Sequence, residues 1–280
     1  MPTTNCQPQT ANRQQLTVNP IVSIQNLTVY RGKTKILQNV NWEIESRDNW
    51  VLLGANGSGK TTLLSCITGY VTPSSGRIRV LDQEYGKTDW RELRKQVGLV
   101  SSSVRQMISD EQLGLDIVAS GQQAVINSWK PPRGLERKRA FRLLEQVECQ
   151  KLADRPWAYF SQGERQRVLI GRALMANHKI LILDEPCAGL DPVARERFLE
   201  FLQRLATQST DYSPNLVLVT HHVEEILPCF SRALLLKGGK VLVEGPVRKA
   251  VSAKNLSEAF GAELSIRFSR GRFQSRLRPV

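Results

Sequence analysis

Gly54-Ala55-Asn56-Gly57-Ser58-Gly59-Lys60-Thr61-Thr62 is the stretch on which the reading of this chain turns. It has the form G-x-x-x-x-G-K-[ST], the phosphate-binding P-loop. Gly54, Gly57 and Gly59 let the main chain wrap closely, so that successive N–H groups point inward at phosphate oxygens. Lys60 brings a point charge toward the β- and γ-phosphates, and the Thr61 hydroxyl is a ligand for Mg²⁺. The flanks agree with this reading. Trp50-Val51-Leu52-Leu53 reads as a short buried strand and Thr62-Leu63-Leu64-Ser65-Cys66-Ile67 as a helix, whose N-terminus aims partial positive charge at the phosphates. A glycine-rich turn matching by chance is the weaker reading, because strand and helix stand in the required order. The expected ligand is a nucleoside triphosphate.

Working outward, a second apolar run, Lys179-Ile180-Leu181-Ile182-Leu183-Asp184-Glu185-Pro186, ends in two carboxylates. A strand of this kind places them at the C-terminal edge of a parallel sheet, where α/β proteins bind ligands. Asp184 is then placed to hold Mg²⁺, directly or through water. Glu185, one residue further on, is placed to accept a proton from an attacking water. A third buried run, Asn215-Leu216-Val217-Leu218-Val219-Thr220, ends at His221-His222. His221 at that edge reads as a γ-phosphate sensor, against a packing or helix-capping histidine. Upstream, Val40, Trp42 and Ile44 alternate with Asn41, Glu43 and Glu45, the pattern of a half-buried antiparallel strand. Tyr30, at a turn in the same region, is either a base-stacking aromatic or a packed surface tyrosine.

Between Met107 and Trp157 the periodicity becomes helical. Leu115, Val118, Val125, Ile126 and Trp129 form one set and Ala140, Leu143, Leu144 and Val147 another, separated by Pro131-Pro132-Arg133-Gly134. The basic run over residues 133–142 reads as a solvated helix face. Phe160-Ser161-Gln162-Gly163-Glu164 opens a further helix, with Ser161 as a good N-cap. Lys237-Gly238-Gly239 between two apolar runs signals a hairpin.

Composition sets the outer bounds. The chain has 280 residues, long enough for a large α/β domain, and a net charge of +13 that suits an anionic partner. No apolar run approaches the roughly 18 residues of a membrane span, and no signal pattern opens the chain. Five scattered cysteines without C-x-x-C suit a reducing cytosol. Three histidines make a His-built metal site improbable.

In this order and spacing the motifs resemble the ATP-binding cassette (ABC) family of transporter ATPases, from about residue 21 to the end of the core. Tyr30 falls at that family's base-stacking loop, residues 54–62 at Walker A and residues 180–185 at Walker B. Ser161, Gln162, Gly163 and Glu164 fall at the L-S-G-G-Q signature, Asp191 at the D-loop and His221 at the switch histidine. Residues 184–190 and 220–226 are further similar to a stand-alone, molybdenum-transport-like subgroup. The resemblance implies a P-loop NTPase (RecA-like) α/β core with an antiparallel β subdomain and a helical lobe over about 103–159. It implies a Mg-dependent ATPase working as a homodimer or with a related cassette subunit, each ATP lying between one Walker A and the opposite signature. Separate transmembrane permease subunits are the implied partners, at the cytoplasmic face of a membrane. A soluble cassette protein acting on nucleic acid or a protein complex is the alternative. Three positions depart from the family: Gln162 and Glu164 in the signature, Cys187 after Walker B, and Ser102 where a glutamine usually links Mg²⁺ to the membrane partner. Residues 1–20 and the arginine-rich residues 266–280 are expected to be disordered.

Overall fold

The computed structural model describes residues 20–89, 93, 96–123, 126–127, 130–176, 178–208 and 214–278. Residues 1–19 of the expected disordered segment, Cys6, Val125 and Trp129 lie outside them. β1 (Val22–Arg31) and β2 (Thr34–Ile44) open the fold as an antiparallel pair. β2 behaves as its alternation predicts. Val40, Trp42 and Ile44 are buried while Asn41, Glu43 and Glu45 face solvent. β3 (Trp50–Leu53) runs into the P-loop, and α1 (Lys60–Ile67) leaves it. β4 (Ser75–Val80) and β5 (Gln83–Glu84) complete the first sheet in the order β2-β1-β4-β5.

β6 (Val97–Val100) returns the chain to a second sheet, and the helical segment follows. It comprises α2 (Ser102–Met107), α3 (Gly114–Ser120) and α4 (Gly134–Gln146), then α5 (Gln162–Met175), which packs against α3 and α4. β7 (Ile180–Asp184), α6 (Pro192–Thr207) and β8 (Asn215–Thr220) follow. β9 (Arg232–Lys237) and β10 (Lys240–Pro246) form the expected hairpin, and α7 (Val247–Ala250) and α8 (Ala253–Phe260) precede the C-terminal strands.

The second sheet has the order β10-β9-β3-β8-β7-β6, with β9, β3, β8, β7 and β6 parallel. Its central strands are apolar throughout because both faces are covered. Leu53, Leu181, Leu183 and Leu218 point into one core with the helical segment, and Leu52, Ile180, Ile182 and Val219 into another with the antiparallel sheet and α1. Trp42 from the first sheet meets Trp50 from the second edge-on at 5.5 Å between ring centroids, fastening the two sheets across the second core. This topology determines where the chemistry can be. β3, β8 and β7 are neighbours, so the P-loop, His221 and Asp184-Glu185 all emerge from one sheet edge although they are spread over some 170 positions of sequence.

The C-terminal expectation is corrected. β11 (Leu264–Ser269) and β12 (Arg272–Leu277) pair antiparallel, so the boundary placed at residue 266 cuts through a strand. Alternation explains the difference. Phe268 and Phe273 face each other at 4.8 Å, and Phe273 is buried in the larger core. Arg270 and Gly271 make a two-residue turn with φ of 52° and 77°, the geometry of a type I′ hairpin. The arginines stand on or beside a strand pair rather than on a free arm.

Candidate functional site

The P-loop wraps around Lys60. Gly54, with φ of 156°, could not be any other residue, since a Cβ there would stand 2.5 Å from the Leu236 carbonyl oxygen. Lys60 Nζ donates to the Gly54 and Ala55 carbonyls at 2.8 and 3.1 Å. Burial lowers the Lys60 pKa, and Glu185 and Asp184 work against that shift. The Asp184 carboxyl is pushed up by burial and by Glu185 beside it, with Lys60 opposing. Lys60 at the head of α1 and Asp184 and Glu185 at the end of β7 therefore meet at one point, and the acidic pair calls for positive charge.

A cleft of about 500 Å³ opens over this point, lined by Tyr30, Asn56, Gly57, Lys60, Thr61 and Glu185 among others. Tyr30 is 46 % exposed and lines the cleft, with Lys35 Nζ 5.6 Å from its ring centroid. An exposed aromatic beside a glycine-rich loop of this form suits a nucleotide base.

Glu185 is held in a strained conformation. Its φ of 47° lies in the left-handed region, which non-glycine residues seldom adopt and which costs on the order of 1–3 kcal/mol. Two contacts fix it there: its N–H donates to the Val219 carbonyl at 2.9 Å, and His221 Nδ1 lies within hydrogen-bond distance of its Oε1 at 3.1 Å. Thus β8 holds the backbone, and the histidine just after β8 the carboxylate, of the residue that follows β7. Buried Gln166 of α5 adds a tie that the sequence reading missed, its Nε2 donating to the Pro186 carbonyl at 2.8 Å. A glutamine on an otherwise apolar helix face was the available signal.

The remaining candidates are not brought to this cleft. Ser161 caps α5 in a reciprocal box, Glu164 N–H donating to Ser161 Oγ at 3.3 Å and Ser161 N–H to Glu164 Oε2 at 2.8 Å. Gln162 Oε1 accepts from Arg105 Nη1 at 2.6 Å. Both signature departures therefore serve the local fold. Gly163 stays partly exposed at the first turn. Asp191 caps α6, accepting at 2.9 Å from both the Val193 and Ala194 amides. Ser102 is exposed at the start of α2, which Ser101 caps. Cys187 is buried, and burial drives its thiol pKa far up, as expected of an inert cysteine.

The residues present suit a bound Mg²⁺. Among the described residues no cluster of three acidic, histidine or cysteine side chains could hold a metal unaided. A hydroxyl at Thr61 and one carboxylate at Asp184 match an ion that keeps waters and takes the rest of its oxygens from phosphate. No helix among the described residues is long and apolar enough to cross a membrane.

Comparison with known proteins agrees with this geometry. The family model described as ABC transporter matches residues 37–188. The ABC transporter ATP-binding protein YlmA of Bacillus subtilis is 40% identical over 262 residues, covering 93% of this chain and 98% of that protein. A solved structure described as an inward-facing conformation of a transporter of the metal-chelate type is similar with a TM-score of 0.74 and 27% identity, covering 94% of this chain and 98% of that one. The ATP-binding cassette MJ0796, in a dimeric post-hydrolysis state bound to ADP and Pi, is similar with a TM-score of 0.68 and 26% identity, covering 81% of this chain and 99% of that one.

Proposed function

This chain belongs to the ABC transporter family, and we propose that within it Glu185 and His221 carry the hydrolytic step on a nucleotide held by residues 54–62 and Tyr30. It is an ATP-binding, ATP-hydrolysing subunit of the family. The observation that carries the assignment of roles is the Glu185–His221 contact, made by a residue in a strained backbone conformation at the edge of the P-loop cleft. Lys60 binds the phosphates, whose charge compensates the burial of its ammonium. His221 orients the Glu185 carboxylate, which accepts the proton of the attacking water as phosphate separates from ADP. Mg²⁺ would be held by Thr61 and Asp184 and, when bound, supplies charge neutralisation between phosphate oxygens.

Ser161, Gln162, Gly163, Glu164 and Asp191 belong, in this reading, to the site of a second cassette. Two features support it: these residues leave their own cleft open, and MJ0796 is dimeric in its product state. We further propose separate transmembrane permease subunits as partners, at the cytoplasmic face of a membrane, and membership of the molybdenum-transport-like subgroup. The phrases at 184–190 and 220–226, and the likeness to a transporter described as of the metal-chelate type, support the latter. The alternative of a nucleic-acid partner is weakened, because the arginine-rich end it called upon is part of the fold.

Glu185→Gln tests the role assignment. Turnover should fall by roughly 10²–10⁴, the usual worth of a general base, with ATP binding kept. Half the normal rate would remove Glu185 from that role. Gentle solubilisation of membranes and affinity purification should recover a polytopic protein with the chain. Recovery only in the soluble fraction would remove the permease.

A further inference from the structure

The segment that carries His221 is held from two sides, and only one belongs to the nucleotide-binding core. From inside, the buried Glu225 carboxylate accepts from Thr220 Oγ1 at 2.6 Å, and the His222 amide donates to the same hydroxyl at 3.0 Å. From outside, the C-terminal hairpin grips Glu224 at both ends. Arg272 Nε and Nη2 donate to the Glu224 carbonyl at 3.1 and 2.6 Å. The Ser275 amide and hydroxyl donate to Glu224 Oε1 at 2.9 and 2.7 Å. The same guanidinium reaches Glu196 on α6, with Nη1–Oε2 and Nη2–Oε1 distances of 3.3 and 3.4 Å. Arg272 thus bridges the helix that begins at Asp191 and the turn that follows His221.

Satisfaction of polar groups does not require this arrangement. Glu224 is only half-buried, and water would serve its carbonyl as well. Nor does anchorage of the hairpin depend on it, since Phe273 is buried in the core next to Arg272. The Arg272–Glu196 ion pair opens to solvent on its Glu196 side, where the carboxylate side chain is 51% exposed, which limits its worth as a source of stability. What the planar fork adds is orientation, because it fixes a main-chain carbonyl three residues from His221 against a rigid helix. The turn Val223–Glu225 begins two residues after His221, so a single residue separates the clasped turn from that histidine.

We propose that Arg272 is a positioning residue for hydrolysis: the C-terminal hairpin clasps the turn after His221 and so holds His221 on Glu185. The proposal rests on the assignment of Glu185 and His221 to the hydrolytic step. It makes the hairpin a working part of the ATPase although it lies beyond every motif of the cassette, and makes its grip a point at which turnover can be set without altering nucleotide binding.

The test compares kcat, KM and nucleotide affinity of the purified full chain carrying Arg272→Ala, His221→Ala or both. Arg272→Ala should lower kcat about ten-fold and leave ATP affinity within about two-fold. In the His221→Ala background the same substitution should change kcat by less than about two-fold, because the residue it acts through is gone. An unchanged kcat in Arg272→Ala, a full drop that persists without His221, or ATP affinity falling in step with kcat would each overturn the proposal. Should Arg272→Ala not fold, Arg272→Lys takes its place. It keeps the charge and most of the stem but lacks the fork, and should lose at least about three-fold in kcat. Wild-type turnover in that variant overturns the proposal. Wild-type turnover in His221→Ala instead overturns the role assignment itself, and the proposal with it.

Discussion

The turn at Gly238-Gly239 and the turn at Arg270-Gly271 are the same device used in two ways. Each is a two-residue hairpin loop with both φ angles positive, 53° and 77° in the first and 52° and 77° in the second. Each leans on a segment of the nucleotide site. The first does so with main chain alone: the Gly239 amide donates to the Ser58 carbonyl at 3.0 Å, and the Gly239 carbonyl accepts from the Gln38 amide at 2.8 Å. That hairpin ties the P-loop to β2 of the other sheet. The second does so mainly with side chains, Arg272 and Ser275 on Glu224. A main-chain brace depends on side chains only through the space they take. A side-chain clasp can be weakened one bond at a time. The P-loop, which must keep one shape, has the first kind of support, and the turn beside His221 has the second.

The largest expected effect comes from breaking the main-chain brace. A Cβ on Gly239 would stand 2.2 Å from the Ile36 carbonyl oxygen, in a conformation that L-residues avoid. Gly239→Ala should therefore cost about 2–5 kcal/mol, the sum of left-handed strain and overpacking. Denaturant midpoints give that figure directly. Because the same amide bonds Ser58, ATP affinity should fall with stability, and a variant that binds ATP normally would show that the brace is dispensable to the P-loop.

A smaller effect separates the clasp from the brace by charge. Burial tends to raise the Glu224 pKa, but the Ser275 amide and hydroxyl stabilise the carboxylate, and the net shift is downward. A folded-state pKa below the unfolded value contributes stability above the ordinary carboxylate range, and that contribution is lost as pH falls through the folded pKa. The clasp is therefore intact at neutral pH and lost only on the acid side. Glu224→Gln should cost about 1–3 kcal/mol at neutral pH, the worth of hydrogen bonds to a charged group, and nearly nothing once the wild-type carboxyl is protonated. Stability curves of the two proteins that run parallel down to acid would refute this.

The same two hairpins show what could be read in advance. Lys237-Gly238-Gly239 sits between Ala233-Leu234-Leu235-Leu236 and Val241-Leu242-Val243, and apolar runs around glycines leave little choice. The P-loop, the strand ending in Asp184-Glu185 and the strand ending in His221 were legible for a like reason. Buried parallel strands are continuous apolar runs, and their chemistry follows at the C-terminal ends. β12 was obscured because Arg270, Arg272, Arg276 and Arg278 weigh more in a count of charge than the alternation of Phe268 and Phe273 weighs in a pattern. An arginine with φ of 52° in the turn gave no glycine or asparagine signal at that position. The positive φ of Glu185 and the use of Gln162 by Arg105 depend on contacts between distant segments that one-dimensional spacing does not contain, whereas the Ser161–Glu164 box is a three-residue spacing present in the sequence itself.

Ser275→Ala is the finest cut. It removes the hydroxyl that donates to Glu224 Oε1 but keeps the main-chain amide that donates to the same oxygen. If the clasp rests on side chains, losing one of two neighbouring donors should cost about 0.5–1.5 kcal/mol, since the remaining lone pairs of a half-buried carboxylate can turn to water. Arg272 still holds the Glu224 carbonyl in this variant, so the turn should stay in place and kcat should move by less than about two-fold. The strand pairing of Ser275 with Ile266 should be unaffected. The measurement is a denaturant midpoint with turnover on the same preparation. A loss well above that range would mean that Ser275 secures the strand itself, and the second hairpin would then be a brace like the first. A kcat loss as large as that of Arg272→Ala would shift the grip from the Glu224 carbonyl to its carboxylate, and pH would then govern turnover as well as stability.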